Sequence, residues 1–300
     1  MTIRVANAPC SWGMFELTTG AEGPGGEQVL DEMALAGFAG TELGDWGFLP
    51  PDPQELRATL SRHGLALVGG FVPVALARAD AHEEGRELAL RTARLLAQVA
   101  PDAFIVLSDD CGKVAEREQC AGRITAEQGL SDADWLTFGR GADLIARAVV
   151  EETGVRTVFH PHCAGYVETP AEIDRLLELT SPELVGLCLD TGHFCYGGGS
   201  DPVEVARRAG DRLWHVHFKD CHPEVAAAAR RDQAPYMEAV RRGVFCELGT
   251  GQVDFAGVLE VLRGRDYRGW IVVEQDVLPG MGTPLESARR NRAFLQTLGL

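Results

Sequence analysis

The sequence predicts an α/β fold, a (β/α)₈ TIM barrel, and three observations carry that expectation. Short apolar, β-branched runs alternate with longer stretches of helical periodicity along the whole chain. Eight strand-like runs and eight helix-like segments fit within 300 residues, which is the arithmetic of such a barrel. The first strand leads into Pro9-Cys10-Ser11-Trp12-Gly13 and not into a glycine-rich phosphate loop, which weighs against a doubly wound nucleotide-binding sheet.

The strand-like runs are Ile3–Ala8, Phe38–Leu43, Leu65–Val72, Ala103–Leu107, Arg156–His160, Leu184–Leu189, Leu213–Lys219 and Trp270–Glu274. The helical segments begin with Gly26–Ala36, stopped by Gly37, and Pro53–His63, stopped by Gly64, glycine being the usual C-terminal stop. Glu83–Val99 ends before Pro101, and Asp132–Glu152 ends at Gly154. Pro170–Leu179, Pro202–Ala209, Phe255–Arg263 and Ser287–Leu298 follow, with Thr169-Pro170 and Asp201-Pro202 reading as capped starts. No composition shift or linker splits the chain. Residues 1–300 therefore read as one barrel domain with one large insertion at about 221–253, after strand seven, where barrel enzymes build their sites.

Composition narrows the partners. Hydrophobic residues make up 45% and charged residues 24%, the profile of a globular chain. The net charge is −16, and the paired arginines are scattered among acidic residues as on solvated helix faces. No basic stripe is present, so nucleic acid is not an expected partner. No apolar run reaches about 18 residues, so no membrane span is expected. Met1–Asn7 lacks the basic start and apolar stretch of a signal peptide, and the eight cysteines form no CxxC pair. Reduced thiols and a cytoplasmic location are the expectation. The oligomeric state stays open, homo-oligomers included.

In this fold, sites stand at the C-terminal ends of the strands. Strand five ends in His160-Pro161-His162, strand six in Asp190-Thr191-Gly192-His193, strand seven in His215-Val216-His217-Phe218-Lys219-Asp220, and strand eight in Glu274-Gln275-Asp276. Charged groups there are costly unless paired or bound to a metal. One divalent cation held by His160, Asp190, His217 and Glu274 satisfies them together, and two imidazoles with two carboxylates suit Mn²⁺, Co²⁺ or Zn²⁺, with Mg²⁺ a further candidate. A lone histidine at a strand end is more often merely hydrogen-bonded; four consecutive ends of this kind point to a ligand set.

Side chains alternate along a strand, so His215 faces as His217 does, and His162 as His160. Such second members can ligate, act as a base or hold substrate. His193 reads as a residue that orients a ligand or opens a second metal position. Lys219, followed by Asp220, can set an ammonium beside a substrate oxygen, a rim ion pair being the alternative. Glu42 can bind substrate hydroxyls or pair with a rim cation, and Trp12 and Trp46 can wall the substrate. Trp214 and Trp270 read as packing between barrel and helices.

The segments Asp190-Thr191-Gly192-His193, His217-Phe218-Lys219-Asp220 and Val273-Glu274-Gln275-Asp276 resemble the xylose isomerase-like barrel superfamily of sugar isomerases, epimerases and endonuclease IV. Within it the chain is most similar to the inosose (2-keto-myo-inositol) dehydratase group. The likeness is most specific from Tyr236-Met237-Glu238 through Gly249-Thr250-Gly251-Gln252-Val253-Asp254-Phe255 to Tyr267–Asp276. It extends to Ala8-Pro9-Cys10-Ser11-Trp12-Gly13 and is weak from about Phe71 to Arg140.

The resemblance implies a sugar or cyclitol substrate and an enzyme of carbohydrate metabolism, in particular inositol catabolism. It implies a metal-bound ketone, α-proton abstraction through an enediolate, and then either loss of the β-hydroxyl, as in a lyase, or return of the proton, as in an isomerase or epimerase. His162 and Lys219 are the candidates for acid–base work. Two departures stand out. Many members carry Glu at the strand-five ligand position where this chain has His160, so Glu168 is a candidate to supply that carboxylate. Relatives often read Gly-Thr after the His-Pro-His, and this chain has Ala164-Gly165. The rival readings are an endonuclease IV-like abasic-site nuclease, which needs three metals and a basic groove, and a catalytically inactive sugar-binding barrel.

Overall fold

Local chemistry sets most helix boundaries. Asp52 accepts from the backbone N–H of Gln54 and Glu55 and precedes Pro53, opening the helix Pro53–His63, which Gly64 closes in the left-handed conformation. Asp201 does the same ahead of Pro202–Ala209, and Thr169 with Glu172 forms a reciprocal capping box ahead of Pro170–Leu179. These signals agree with the sequence expectation.

The computed structural model describes residues 3–13, 23–278 and 280–300. Its strands are β1 (Arg4–Asn7), β2 (Gly40–Glu42), β3 (Ala66–Val74), β4 (Phe104–Asp109), β5 (Arg156–Phe159), β6 (Val185–Asp190), β7 (Leu213–Phe218), β8 (Asp220–Cys221), β9 (Phe245–Cys246) and β10 (Trp270–Val273). β1 to β7 and β10 pair in parallel and close into a barrel, with β10 between β7 and β1. The expected (β/α)₈ barrel is the observed fold. β3 runs two residues past its expected end, through Pro73, because β2 has already stopped at its Glu42–Gly69 pairing and leaves one side of the strand free.

Inside the barrel the side chains form layers. The floor holds Trp270 against Ala6, Val68 and Val272, and Trp214 with Phe104 against Val106, Val158 and Cys188. Arg156 stacks 3.7 Å over Trp214 and Arg4 4.0 Å over Trp270. The two tryptophans thus plug the barrel at its N-terminal end and do not pack between strands and helices as expected. Gly186 makes room for one of them, since a Cβ there would lie 2.2 Å from the Trp214 ring. With the floor sealed by large rings, the polar residues are left to the opposite end.

Four short helices escaped the sequence reading: Ala115–Cys120, Thr191–Tyr196, Pro223–Arg231 and Tyr236–Arg241. Three of them, with six residues each, are too short to show a period, and such helices depend on tertiary contacts. Of the four, the last two fill the insertion, whose ends meet where β8 pairs antiparallel with β9. Asp220 secures the return: its carboxylate accepts from the backbone N–H of Cys221, Gly249, Gly251 and Val253, at 2.8 to 3.1 Å. Gly251 is required there, because a Cβ would stand 2.3 Å from that carboxylate. Among the described residues, no helix is long and apolar enough to cross a membrane.

Candidate metal centre and cavity

The ends of β5, β6, β7 and β10 bring His160, Asp190, His217 and Glu274 together, with one donor atom from each within 4.8 Å of the others. All four expected ligands therefore converge. Asp190 divides its two oxygens: Oδ1 accepts from the His193 N–H at 2.7 Å, capping the helix Thr191–Tyr196, and Oδ2 lies 3.7 Å from His160 Nε2. His217 divides its nitrogens likewise. Nε2 is bonded to Glu42 Oε1 at 3.0 Å, and Nδ1 stands 3.1 Å from Glu274 Oε1.

Both ring nitrogens of His160, Asp190 Oδ2 and His217 Nδ1 are buried without a hydrogen-bond partner among the described residues. Such atoms are rare in folded chains and call for a ligand. Around one cation, with bonds of about 2.1 Å, donor atoms stand about 3–4 Å apart, so this set fits a divalent ion with nitrogen and oxygen preference. Cys188, His215 and His217 also converge, one layer down. There, Glu42 Oε1 already bonds both histidines through Nε2, at 3.1 and 3.0 Å.

Glu42 thus serves chiefly to fix His217, although it also borders the cavity above. Burial would raise its carboxyl, but His217 and His215 outweigh that and bring it down to about 2. His215 lies beneath, bonded to Glu42, and does not line the cavity.

Over His160, His217 and Glu274 lies a cavity of about 880 Å³, its open mouth included. Pro9, Phe71 and Pro73 form an apolar wall on the β1–β3 side, and His162, Lys219 and Asp276 face it from the β5–β10 side. Lys219 Nζ stands 3.2 Å from Asp276, 3.4 Å from Glu274 and 3.3 Å from His193 Nε2. Burial alone would lower its pKa; Asp276 and Glu274 more than reverse this and hold the amine charged. Gly192 permits the approach, because a Cβ there would meet the Lys219 chain at 2.6 Å. Asp220, bound to the insertion's backbone, is not the partner of Lys219.

His162 Nδ1 lies 2.6 Å from the Cys163 carbonyl. A carbonyl only accepts, so Nδ1 carries the proton and Nε2 keeps its lone pair. Burial keeps the ring neutral, with its pKa down at about 3. The His162 and His193 rings are 3.9 Å apart, and His193 Nδ1 accepts from the Cys163 N–H at 3.2 Å, which leaves the ring proton on Nε2.

Like His215, His193, expected to bind substrate, does not line the cavity, and three further expected site residues stand apart. Trp12 donates to Glu32 at 2.6 Å, and Trp46 packs under Arg91 at 4.2 Å; neither lines the cavity. Glu168 does not join the four ligands. Its carboxylate accepts from Gly122 N–H at 2.6 Å and Ala164 N–H at 2.8 Å, and burial raises its pKa to about 7. Beside it, Arg117 is fully buried, bidentate on Glu172 at 2.8 and 3.0 Å, and bonded to the Gly165 carbonyl. That clasp braces the segment after β5 that bears His162.

Sequence reasoning assigned no role to Arg117, Asp109 or Tyr236. Asp109 lines the cavity from β4, and burial lifts its carboxyl to about 6. Its place at a strand end was the available signal. Tyr236 opens the stretch of most specific family likeness, but its short helix, like that of Arg117, does not announce where the side chain stands.

Comparison with known proteins places this architecture. An inosose dehydratase of Geobacillus kaustophilus (strain HTA426) is 35% identical over 298 residues, covering 98% of this chain and 94% of that one. The rhizopine catabolism protein MocC of Rhizobium meliloti is 36% identical, covering 96% and 86%. Among solved structures, the IOLI protein with a bound zinc atom superposes with a TM-score of 0.71 at 14% identity, over 99% of this chain and 98% of that one, a likeness of fold. The family described as xylose isomerase-like TIM barrel matches residues 30–298. The chain belongs to that family.

Proposed function

We propose that this chain is a divalent-metal-dependent dehydratase of an uncharged keto-polyol, an inosose or a closely related cyclitol or sugar. The observation that carries the reading is the convergence of four buried donors from four strand ends, several of them with no other partner. The relatives named inosose dehydratase support the substrate class and the elimination. No arginine lines the cavity among the described residues, and Lys219 is matched by carboxylates, which favours a neutral substrate over a phosphorylated one.

His160, Asp190, His217 and Glu274 would hold the cation. When bound, it supplies Lewis acidity to a ketone and its neighbouring hydroxyl, and so acidifies the α-carbon. His162 offers the free lone pair of Nε2 as the base that takes the α-proton. The electron pair of that C–H bond becomes the new C=C bond as the C–O bond to the β-hydroxyl breaks. The Lys219 ammonium gives the proton with which the hydroxyl leaves as water; His162 then gives the α-proton to solvent and the Lys219 amine takes a proton back, so the net change is the loss of one water. Asp276 and Glu274 hold Lys219 in place. The apolar wall of Pro9, Phe71 and Pro73 limits water on the other side.

A nuclease reading has less support. The charge is −16, and many surface arginines sit in ion pairs. The test is a screen of inososes and ketoses with Mn²⁺ or Co²⁺, following the ultraviolet absorbance of the enone. Enone formation supports dehydration; a new ketose without it means isomerisation. Full activity in metal-free His217→Ala protein overturns the metal-dependent mechanism.

A further inference from the structure

Tyr236 opens a helix of the insertion and lines the cavity together with Met237 and Val240. It is only 3% exposed, and its ring stands edge-on to His162 at 5.5 Å and lies 6.2 Å from His193. Its hydroxyl has no hydrogen-bond partner among the described residues, whereas the Tyr267 hydroxyl donates to the Trp270 carbonyl at 2.8 Å. A buried hydroxyl normally finds a partner, and a polar atom on a cavity wall is available to whatever fills the cavity. Burial holds the phenol well above its ordinary pKa, so at neutral pH it is a donor and not a base. The Asp220 carboxylate fixes both ends of the segment that carries it.

We propose that the Tyr236 hydroxyl donates a hydrogen bond to a substrate hydroxyl, which makes the inserted segment a specificity-determining wall of the site. The proposal rests on the polyol reading given above. It assigns the insertion a binding task separate from the metal ligands: they hold the reacting end of the substrate, and Tyr236 reads a hydroxyl on the side facing the insertion.

The test is Tyr236→Phe, which keeps the ring against His162 and removes one oxygen that has no protein partner, so the fold should be unaffected. Calorimetry on Mn²⁺-loaded protein with a neutral cyclitol, myo-inositol, as probe should show Kd rising about tenfold in the variant. Metal content and melting temperature should not change. In a series of mono-deoxy cyclitols, one member should bind wild type and variant equally, which identifies the hydroxyl read. If wild type binds the cyclitol and the variant binds it equally well, the Tyr236 proposal falls and the polyol reading stands. If wild type binds no cyclitol and turns over no keto-polyol, the polyol reading fails and this proposal fails with it.

Discussion

Two buried charged clusters lie side by side on the strand-five side of the barrel mouth, and they resolve the same electrostatic problem differently. In the first, Arg117 pairs with both oxygens of Glu172, Glu172 also accepts from the Glu168 and Thr169 N–H groups, and Glu168 accepts from Gly122 and Ala164. Each charge is answered within the chain. In the second, His160, Asp190 and His217 keep buried atoms with no hydrogen-bond partner among the described residues. Burying charge carries a similar penalty in both places. The satisfied cluster can brace but has no valence left for a ligand. The unsatisfied cluster is complete only with a ligand, and its residues are therefore the ones available for chemistry.

The largest effect should come from the unsatisfied cluster. Glu274→Gln keeps the shape and removes the charge; bound metal should be lost and turnover should fall about a thousandfold or more, several kcal/mol of transition-state stabilisation. Metal analysis and enone formation, measured on the same sample, check this. Arg117→Ala should lower unfolding free energy by about 3–5 kcal/mol, because it strands Glu172 buried and unpaired. His160→Leu in chelator-treated protein should cost less than about 1 kcal/mol, as neither ring nitrogen has a hydrogen bond to lose. Urea titrations of the two variants decide the matter: a similar loss in both would erase the distinction between the clusters.

The four candidate ligands were legible because the fold dictates where they must stand. A barrel strand has to be apolar to pack, so His160, Asp190, His217 and Glu274 at strand ends are conspicuous in the sequence. Glu42 was found for the same reason, but its partners were not, because contact between residues 42 and 217 depends on barrel closure. Glu168 was misleading. Its position after β5 suits a ligand, yet its direction is set by the Gly122 and Ala164 amides, which no sequence pattern announces. Trp214 was placed on the wrong face because the register with β6 shifts there, Leu187 pairing with Leu213 and Cys188 with His215, and alternation alone cannot locate a bulge. Trp270 lies in regular pairing, and alternation back from Glu274 would have put it inside. Tyr236 lay in the insertion, where length and composition were readable and direction was not.

The pH response should separate the clusters further. The Glu168 carboxyl has its pKa raised from 4.5 to about 7, mainly by burial, against the pull of two backbone N–H groups. The folded protein therefore keeps a proton that the unfolded chain releases near pH 4.5. The contribution of this group to stability is complete below that pH, declines as pH rises to about 7, and is constant beyond. The decline is of order 3 kcal/mol. Glu168→Gln cannot lose a proton, so the difference between wild-type and variant unfolding free energies should shrink across that window. A difference that does not vary between pH 4.5 and 7.5 would mean the carboxylate is already ionised in the folded state.

The last effect is a gain. A cation that binds only the folded chain stabilises it by about 2.7 kcal/mol at a hundred times its dissociation constant. Adding Mn²⁺, Co²⁺ or Zn²⁺ to chelator-treated protein should raise the melting temperature of wild type, leave His217→Ala unmoved, and raise that of Arg117→Ala by a comparable free energy from its lower starting point. The last result is the discriminating one, because Arg117 reaches the metal cluster only through the segment after β5 that it braces. If Arg117→Ala loses the metal response altogether, the two clusters form one cooperative unit, and the clasp must be counted among the determinants of the metal site.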